Sequence, residues 1–457
     1  MGVGIICMDF LGKTVTLMGL GMYKTGSGVA AARFLAPRVK KLIITDTKSK
    51  KELTGQIKLL QKYENIVWRL GGHRESDFVK TDWVIRNPDV PSSSSFLALA
   101  RKHHVPIDND ITLFLGFHGL EEAIGVTGTR GKTTTVHLIY EMLKRFDGAA
   151  FMAGNVGVSP LTQQAWFDPA RPAVLELSSF LLHEFGTRKF SPHIAVFTNL
   201  YPDHLNKYAS LKEYAADKEY IFAFQKEDDW LVANADDAHV CGAAMRAPAR
   251  VLWFSARLAV KAGAYVKNGW IVFCFGGKEE RVIPLKEWQL RGQHNVYNLL
   301  GAVAAARVYG VPVELIRQAA RDFKGVPYRL EYVRTVDGVR YYNDSAATSP
   351  EGAIAALRSF PSQKIVLISG GNSKGLDLAG LNKEIKKHVR VLIKMSGNVS
   401  ADLPTGVDVR DLKEAVELAH SSARKGDVVL LSPGLTWLPT INEFKRGDEF
   451  KKLVSHL

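Results

Sequence analysis

The stretch GVTGTRGKTTT (residues 125–135) brings glycines, a lysine and hydroxyl side chains together in one short run. It follows an apolar run, AIGVTG, that reads as a strand. It opens KTTTVHLIYEMLK (132–144), whose apolar spacing reads as a helix. A glycine turn between a strand and a helix aims backbone N–H groups and the positive end of the helix at an anion. Lys132 adds a positive charge and Thr133 a hydroxyl suited to Mg²⁺. The spacing departs from the strict pattern GxxxxGK[ST]: Val126 stands where the first glycine belongs, with Gly125 and Gly128 on either side. The loop predicts binding of nucleotide phosphates. Alone it does not separate a hydrolysing switch from phosphoryl transfer or ligation.

Further groups fall at strand ends. VLELSSF (174–180) places Glu176 at the carboxyl end of an apolar strand, where open α/β sheets bind ligands. A carboxylate there suits Mg²⁺, a hard ion that prefers oxygen. HIAVFTNL (193–200) is another strand, and His204 follows it in TNLYPDHLNKY. LKEYAADKEYIFAFQ (211–225) reads as an amphipathic helix carrying Lys218. Singly, such a histidine or lysine is usually structural or solvated; three strand ends converging on one place favour a site.

An earlier turn, GLGMYKTGSG (19–28), looks like the dinucleotide fingerprint GxGxxG, but Lys24 occupies the third glycine position, which argues against NAD. The helix after it can still accept a diphosphate. Asp46 ends the next strand, KLIITD, where an acid can bind ribose hydroxyls.

The elements that must position these groups alternate strand and helix over most of the 457 residues, which predicts parallel sheets with crossover helices. Boundaries are expected near 118 and 326, giving units 1–118, 119–326 and 327–457. AYVKNGWIVFCF (264–275) reads as a hairpin turning at Asn268-Gly269. HNVYNLLGAVAAARVYG (294–310) reads as a helix closed by Gly310. The net charge of +14 is spread along the chain without a basic tail, so anionic small substrates are expected rather than nucleic acid. Cys7, Cys241 and Cys274 are scattered, which argues against a disulfide framework or a zinc site. MGVGIICMDF lacks a basic leader region, and no apolar run approaches the ~18 residues of a membrane span. A cytoplasmic protein without membrane attachment is expected.

Taken together, TGTRGKTTT, GNVG (154–157), ELSSF, NLYPDHL, AADKEYIFAFQ, GQHNVYN (292–298), PYRLE (327–331), YNDSAATSP (342–350), SGGNSKG (369–375) and LSPG resemble the Mur ligase family, ATP-dependent amino-acid ligases of peptidoglycan assembly. They occur in family order along the chain. The resemblance implies three domains: a Rossmann-like domain for the UDP end of a UDP-linked muramoyl precursor, a central P-loop ATPase-like domain, and a C-terminal Rossmann-like α/β domain for the incoming amino acid. It is strongest to the branch that adds D-glutamate to UDP-N-acetylmuramoyl-L-alanine. In this chemistry ATP phosphorylates a substrate carboxylate and the amine attacks the acyl phosphate.

By the same resemblance, Gly128, Thr129, Arg130, Gly131, Lys132, Thr133 and Thr134 cradle ATP. Asn295 and Asn298 face the adenine, Asp344 the ribose and Arg329 the γ-phosphate. Thr133 and Glu176 hold one Mg²⁺. His204 and Lys218, the latter as a carbamate formed with CO₂, serve a second. Gly19, Asp46, Thr47, Asn155 and Ser178 bind precursor, and Thr348, Lys374 and Phe444 the amino acid; a monomer is implied. Arg329 and Asp344 lie past the second boundary, so domain closure is expected. The chain departs from the family at Ala346, where lysine is usual, at Leu181, where glutamine is usual, and at Trp437, where the D-glutamate branch has a serine. A relative adding another amino acid, such as L-alanine to UDP-N-acetylmuramate, and a nucleotide switch that does not ligate remain open at this point.

Overall fold

The computed structural model describes residues 9–22, 26–162, 168–203, 208–372, 377–397, 402–435 and 442–457. The chain divides into two compact units, one of residues 1–288 and 297–322, the other of 289–296 and 323–457.

The first unit contains two sheets. One is built from β1 (Thr14–Met18), β2 (Lys41–Asp46), β3 (Ile66–Leu70), β4 (Trp83–Arg86) and β5 (Ile107–Asp108), with α1 (Ser27–Leu35), α2 (Thr54–Leu60), α3 (Ser76–Val79), α4 (Ser95–Lys102) and α5 (Asp110–His118) between and after them. The order is β3-β2-β1-β4-β5 and every pairing is parallel. The strand order reverses between β1 and β4, beside the turn that follows β1, the kind of switch point at which open α/β sheets bind ligands.

The other sheet carries β6 (Ala123–Thr127), β7 (Phe151–Gly154), β8 (Ala173–Glu176), β9 (Ile194–Phe197), β10 (Trp230–Asn234), β11 (Arg250–Ser255), β12 (Gly263–Lys267), β13 (Trp270–Phe275) and β14 (Lys278–Pro284). Its helices are α6 (Lys132–Phe146), α7 (Ser179–Arg188), α8 (Leu211–Glu219), α9 (Ala238–Ala244), α10 (Gln293–Tyr309) and α11 (Val313–Asp322). The order is β14-β13-β12-β11-β10-β9-β6-β8-β7. The strands β6, β8 and β9, adjacent and parallel, are wholly buried, as crossover helices on both faces require. β12 and β13 form the expected hairpin: Asn268 and Gly269 both take positive φ, 49° and 75°. The two sheets share one apolar core in which Val29, Phe114, Phe151 and Leu181 take part.

One expected element is shorter. The helix expected over 211–225 ends at Glu219. The next turns are captured by the segment before β9: Ser191 Oγ donates to Tyr220 O at 2.8 Å and accepts from Phe224 N at 3.1 Å, while Ile221 and Phe222 are buried.

The second unit holds β15 (Glu331–Val336), β16 (Val339–Asn343), α12 (Pro350–Arg358), β17 (Ile365–Gly370), α13 (Ala379–His388), β18 (Val389–Met395), β19 (Val407–Val409), α14 (Leu412–Ser422), β20 (Val428–Leu431) and α15 (Glu443–Ser455). Its sheet runs β15-β16-β20-β17-β18-β19, antiparallel at β15–β16 and parallel beyond. The α/β class read from the sequence is what the structure shows.

Candidate active site

The glycine loop turns between β6 and α6 through two left-handed positions, Gly128 (φ 145°) and Gly131 (φ 84°). Neither could carry a side chain. A Cβ on Gly128 would lie 2.0 Å from Thr198 Oγ1, and one on Gly131 2.3 Å from Asn298 Oδ1. The loop is therefore pressed between the end of β9 and α10. Thr198 Oγ1 and Asn199 Nδ2 both donate to Arg130 O, at 2.7 and 3.0 Å, and Asn199 Oδ1 accepts Arg130 N at 2.8 Å. Thr129 packs its hydroxyl against Tyr214 OH and accepts Tyr201 N at 3.0 Å. Arg130 pairs with Asp203 at 2.8 Å. Thr133 is half-buried and Thr134 buried in the first turn of α6. Asn199 and Tyr214 were not singled out from the sequence, although the NLYPDHL run held the first of them.

Lys132 Nζ donates to the carbonyls of Gly128 and Thr129, at 2.8 and 3.2 Å. Lys218, from α8, donates to the same Gly128 carbonyl at 3.0 Å. The sequence places these lysines 86 positions apart, and the fold brings both onto one oxygen. Lys218 is 1% exposed and lies 4.7 Å from the centre of the Tyr214 ring. Burial, and next the charge of Lys132, hold its amine well below the ordinary lysine pKa, with Asp203 and Glu176 opposing the shift.

Glu176 ends β8 as expected. Its carbonyl lies 2.3 Å from where a Cβ on Gly154 would stand, so the GNVG turn wraps the strand end. Asn155 Nδ2 donates to Glu176 Oε1 at 3.0 Å; Oε2 is buried with no hydrogen-bond partner. An unpartnered buried carboxylate oxygen beside a glycine turn at a helix start is the environment a divalent cation completes. The free oxygen of Glu176 thus fits a Mg²⁺ ion. Ser178 caps α7, its Oγ accepting Leu181 N. His204 lies outside the described residues.

The earlier turn is built differently. Gly19 (φ 87°) and Gly21 (φ 77°) bend over the end of β1. A Cβ on Gly28 would sit 2.3 Å from Leu20 O, so α1 packs directly on the turn. Asp46 is buried and faces inward: Oδ2 accepts Leu20 N at 2.9 Å and Oδ1 accepts Lys48 N at 2.9 Å. Thr47 beside it is exposed.

In the second unit, Asp344 sits at the end of β16, buried, with Oδ1 accepting Leu330 N at 3.0 Å and Oδ2 accepting Ser432 Oγ at 2.8 Å. Burial pushes its carboxyl up to about 7 against these hydrogen bonds. Arg329 is exposed, between Tyr328 and Leu330, both with positive φ (66° and 46°). Asn295 donates its side chain to Arg291 O at 2.7 Å. Thr348 is half-buried just before α12, and Phe444 packs edge-on against Tyr328, 5.4 Å between ring centres. Lys374 and Trp437 lie outside the described residues. Leu181, the departure at the glutamine position, is buried in the shared core, and Ala346 is half-buried.

Comparison with known proteins identifies the family. Residues 126–306 match the Mur ligase middle domain, and residues 328–435 the Mur ligase glutamate ligase domain. The chain is 37% identical to a UDP-N-acetylmuramoylalanine–D-glutamate ligase of Roseiflexus sp. (strain RS-1), covering 98% of this chain and 99% of that protein. It is 38% identical to the enzyme of the same name from Acidobacterium capsulatum, covering 98% and 97%. Among solved structures, UDP-N-acetylmuramate–alanine ligase of Thermotoga maritima superposes with a TM-score of 0.60 at 20% identity, covering 97% of this chain and 99% of that one. The MurF ligase of the same organism in complex with ADP gives 0.59 at 16% identity, covering 92% and 97%. A glycine loop with two lysines on one carbonyl, a carboxylate at the neighbouring strand end, and matches of this extent place the chain in the Mur ligase family.

Proposed function

We propose that this chain joins D-glutamate to UDP-N-acetylmuramoyl-L-alanine at the expense of ATP. The observation that carries the reading is the meeting of Lys132, Lys218 and the free oxygen of Glu176 around one glycine loop. A carboxylate is a poor electrophile, and phosphorylation gives it a leaving group. The precursor carboxylate and the γ-phosphate are both anionic, and the loop supplies what lets them approach. Backbone N–H groups at the start of α6 and the Lys132 ammonium offset their charge. Thr133 and Glu176 would hold Mg²⁺, which would further offset charge on the phosphates.

Lys218 has a separate part. Its amine, whose hold on the proton burial weakens, is the better able to add to CO₂ in its neutral form. The new N–C bond leaves a carbamic acid that loses its proton, and the lysine becomes an anion suited to a second Mg²⁺. As an ammonium it would repel that ion. Asp344 and Arg329 would serve the ribose and γ-phosphate, and Asn295 and Asn298 the adenine. Gly19, Asp46, Thr47, Asn155 and Ser178 would serve the precursor, and Thr348, Lys374 and Phe444 the amino acid. Residues 1–118, 119–326 and 327–457 would be the precursor, nucleotide and amino-acid domains of a cytoplasmic monomer. Among the described residues no helix is long and apolar enough to cross a membrane.

The deciding experiment is phosphate release measured with UDP-N-acetylmuramoyl-L-alanine or UDP-N-acetylmuramate against a panel of D- and L-amino acids. Release that requires both UDP-N-acetylmuramoyl-L-alanine and D-glutamate is expected. Release with UDP-N-acetylmuramate and L-alanine, or without any amino acid, refutes the assignment.

A further inference from the structure

The helix α7 starts immediately after Glu176 and Ser178, and the rest of it is held by the first sheet. Arg86, the last residue of β4, donates Nη2 to Phe180 O at 2.5 Å and to Glu184 Oε2 at 2.7 Å, and Nη1 to Val90 O at 2.6 Å. Asn109, the N-cap of α5, donates Nδ2 to Leu181 O and to the same Glu184 Oε2, both at 2.9 Å. At the far end of α7, Arg188 pairs with Asp108 of β5. The Arg86 and Glu184 side chains are 1% and 2% exposed.

Adhesion alone does not call for such a seam. Desolvating two charges costs several kcal/mol per ion, and an apolar pair of similar volume often holds a structure as well or better. What the polar seam adds is direction. One carboxylate oxygen takes donors from β4 and from the cap of α5, and the same two side chains hold the carbonyls of the first turn of α7. These bonds form together at one placement of the helix, with Arg86 Nε and Glu184 Oε1 buried and without a hydrogen-bond partner. On the other side of β4, Asn87 follows Arg86 and lies against the glycine turn: Cβ atoms on Gly19 and Gly21 would stand 3.0 and 3.1 Å from Asn87 atoms. A chain of direct contacts thus runs from the turn after β1, through Asn87, Arg86 and Glu184, along α7 to Ser178 and Glu176.

We propose that Arg86, Glu184 and Asn109 are positioning residues that fix the sheet carrying the precursor relative to the strand end bearing Glu176. The inference rests on the function proposed above. The precursor is expected to be held at its UDP end by the first sheet, while its carboxylate reacts at the central one. An angular error in the seam therefore becomes a displacement of the reacting carboxylate. A misplacement of about 1 Å costs on the order of 10²-fold in rate. ATP, held by the glycine loop, does not feel that error.

The test compares Glu184→Gln and the double variant Arg86→Met/Glu184→Leu with the unaltered enzyme, measuring kcat, KM for ATP and for precursor, and Tm. Glu184→Gln should lower kcat about tenfold or more and leave KM for ATP within about twofold. The double variant, with no buried charge left unpaired, should keep a Tm near that of the unaltered enzyme and still show the lowered kcat. A folded double variant with unaltered kcat overturns the proposal. So does a Glu184→Gln enzyme in which Tm, kcat and KM for ATP deteriorate together. Should the double variant not fold, Asn109→Ala is judged by the same split between kcat and KM for ATP. An unaltered enzyme that releases no phosphate with precursor and D-glutamate refutes the functional reading instead, and is distinguished by needing no variant.

Discussion

The molecule contains two strand–glycine–helix turns with nearly the same backbone logic and opposite electrostatics. The turn after β1 is drawn onto a buried acid: Asp46 takes the Leu20 N–H, so part of the turn's anion-binding capacity is already occupied by an internal carboxylate. The turn after β6 has a lysine in its first helical position and a second lysine arriving from α8. The geometry of a glycine turn makes an anion site available, and the neighbouring side chain decides how much negative charge it will accept. On the function proposed above, the first turn would serve a weakly demanding ligand such as a nucleoside diphosphate with hydroxyls to bind, and the second a triphosphate and its metal ions.

The largest break in that comparison is to remove the cation from the second turn. Lys132→Ala should reduce phosphate release by on the order of 10²–10³-fold while leaving binding of a uridine nucleotide unchanged. Lys132 is only half-buried at the start of α6, so its truncation should leave the fold intact, which an unchanged Tm checks; a variant retaining near-normal turnover contradicts the role. Lys218→Ala comes next, with a loss of about 10²-fold. Here short carboxylates such as formate or acetate should restore part of the rate, because an anion in the vacated space can replace a carbamate. Rescue by short amines, with none by carboxylates, would indicate that the residue works as a cation.

The glycines give a smaller but sharper contrast. A positive φ costs a non-glycine residue about 1–3 kcal/mol at either turn. At Gly19 the added Cβ meets side-chain carbon at 3.0 Å, whereas at Gly128 it meets Thr198 Oγ1 at 2.0 Å and backbone of Asn199 at 3.1 Å. Gly128→Ala should therefore lower Tm more than Gly19→Ala and abolish ATP binding as well. Equal shifts in Tm would mean that the Thr198 side chain yields freely and that the loop is less tightly enclosed than its hydrogen bonds imply.

What the sequence disclosed follows the same division between local and distant causes. β2, the hairpin at Asn268-Gly269 and the helix α10 were legible because each has its own period or turn chemistry within a few residues. Glu176 at a strand end and Lys132 at a helix start were legible for the same reason. The helix containing Lys218 was read as longer than it is, because its last turns are captured by Ser191, a residue in the distant segment before β9. Glu184 and Arg86 passed unnoticed: one is a charged residue within a helix, the other a single arginine before NPDVP. Their meaning lies in a pairing across 98 positions that leaves no periodic trace. Asp46 was expected to face a ligand. Its backbone-binding role could not be read, since nothing in KLIITD indicates that the carboxylate turns back toward residue 20.

That last point yields the mildest test. Asp46→Asn preserves shape, but the amide has one acceptor oxygen where the carboxylate has two, and its NH₂ group faces an N–H. One of the bonds from Leu20 or Lys48 is lost, and a charge-assisted hydrogen bond of this kind is worth about 1.5–3 kcal/mol. If the acid serves mainly to hold the turn, the variant should lose a few degrees of Tm, and uridine nucleotide affinity should fall several-fold in parallel, with KM for ATP unchanged. If the acid serves mainly the ribose, affinity should fall by tenfold or more while Tm stays put. The first outcome is expected, because both oxygens are already engaged by backbone N–H groups. The second would mean that those bonds contribute little and that the two turns differ less in electrostatics than their side chains suggest.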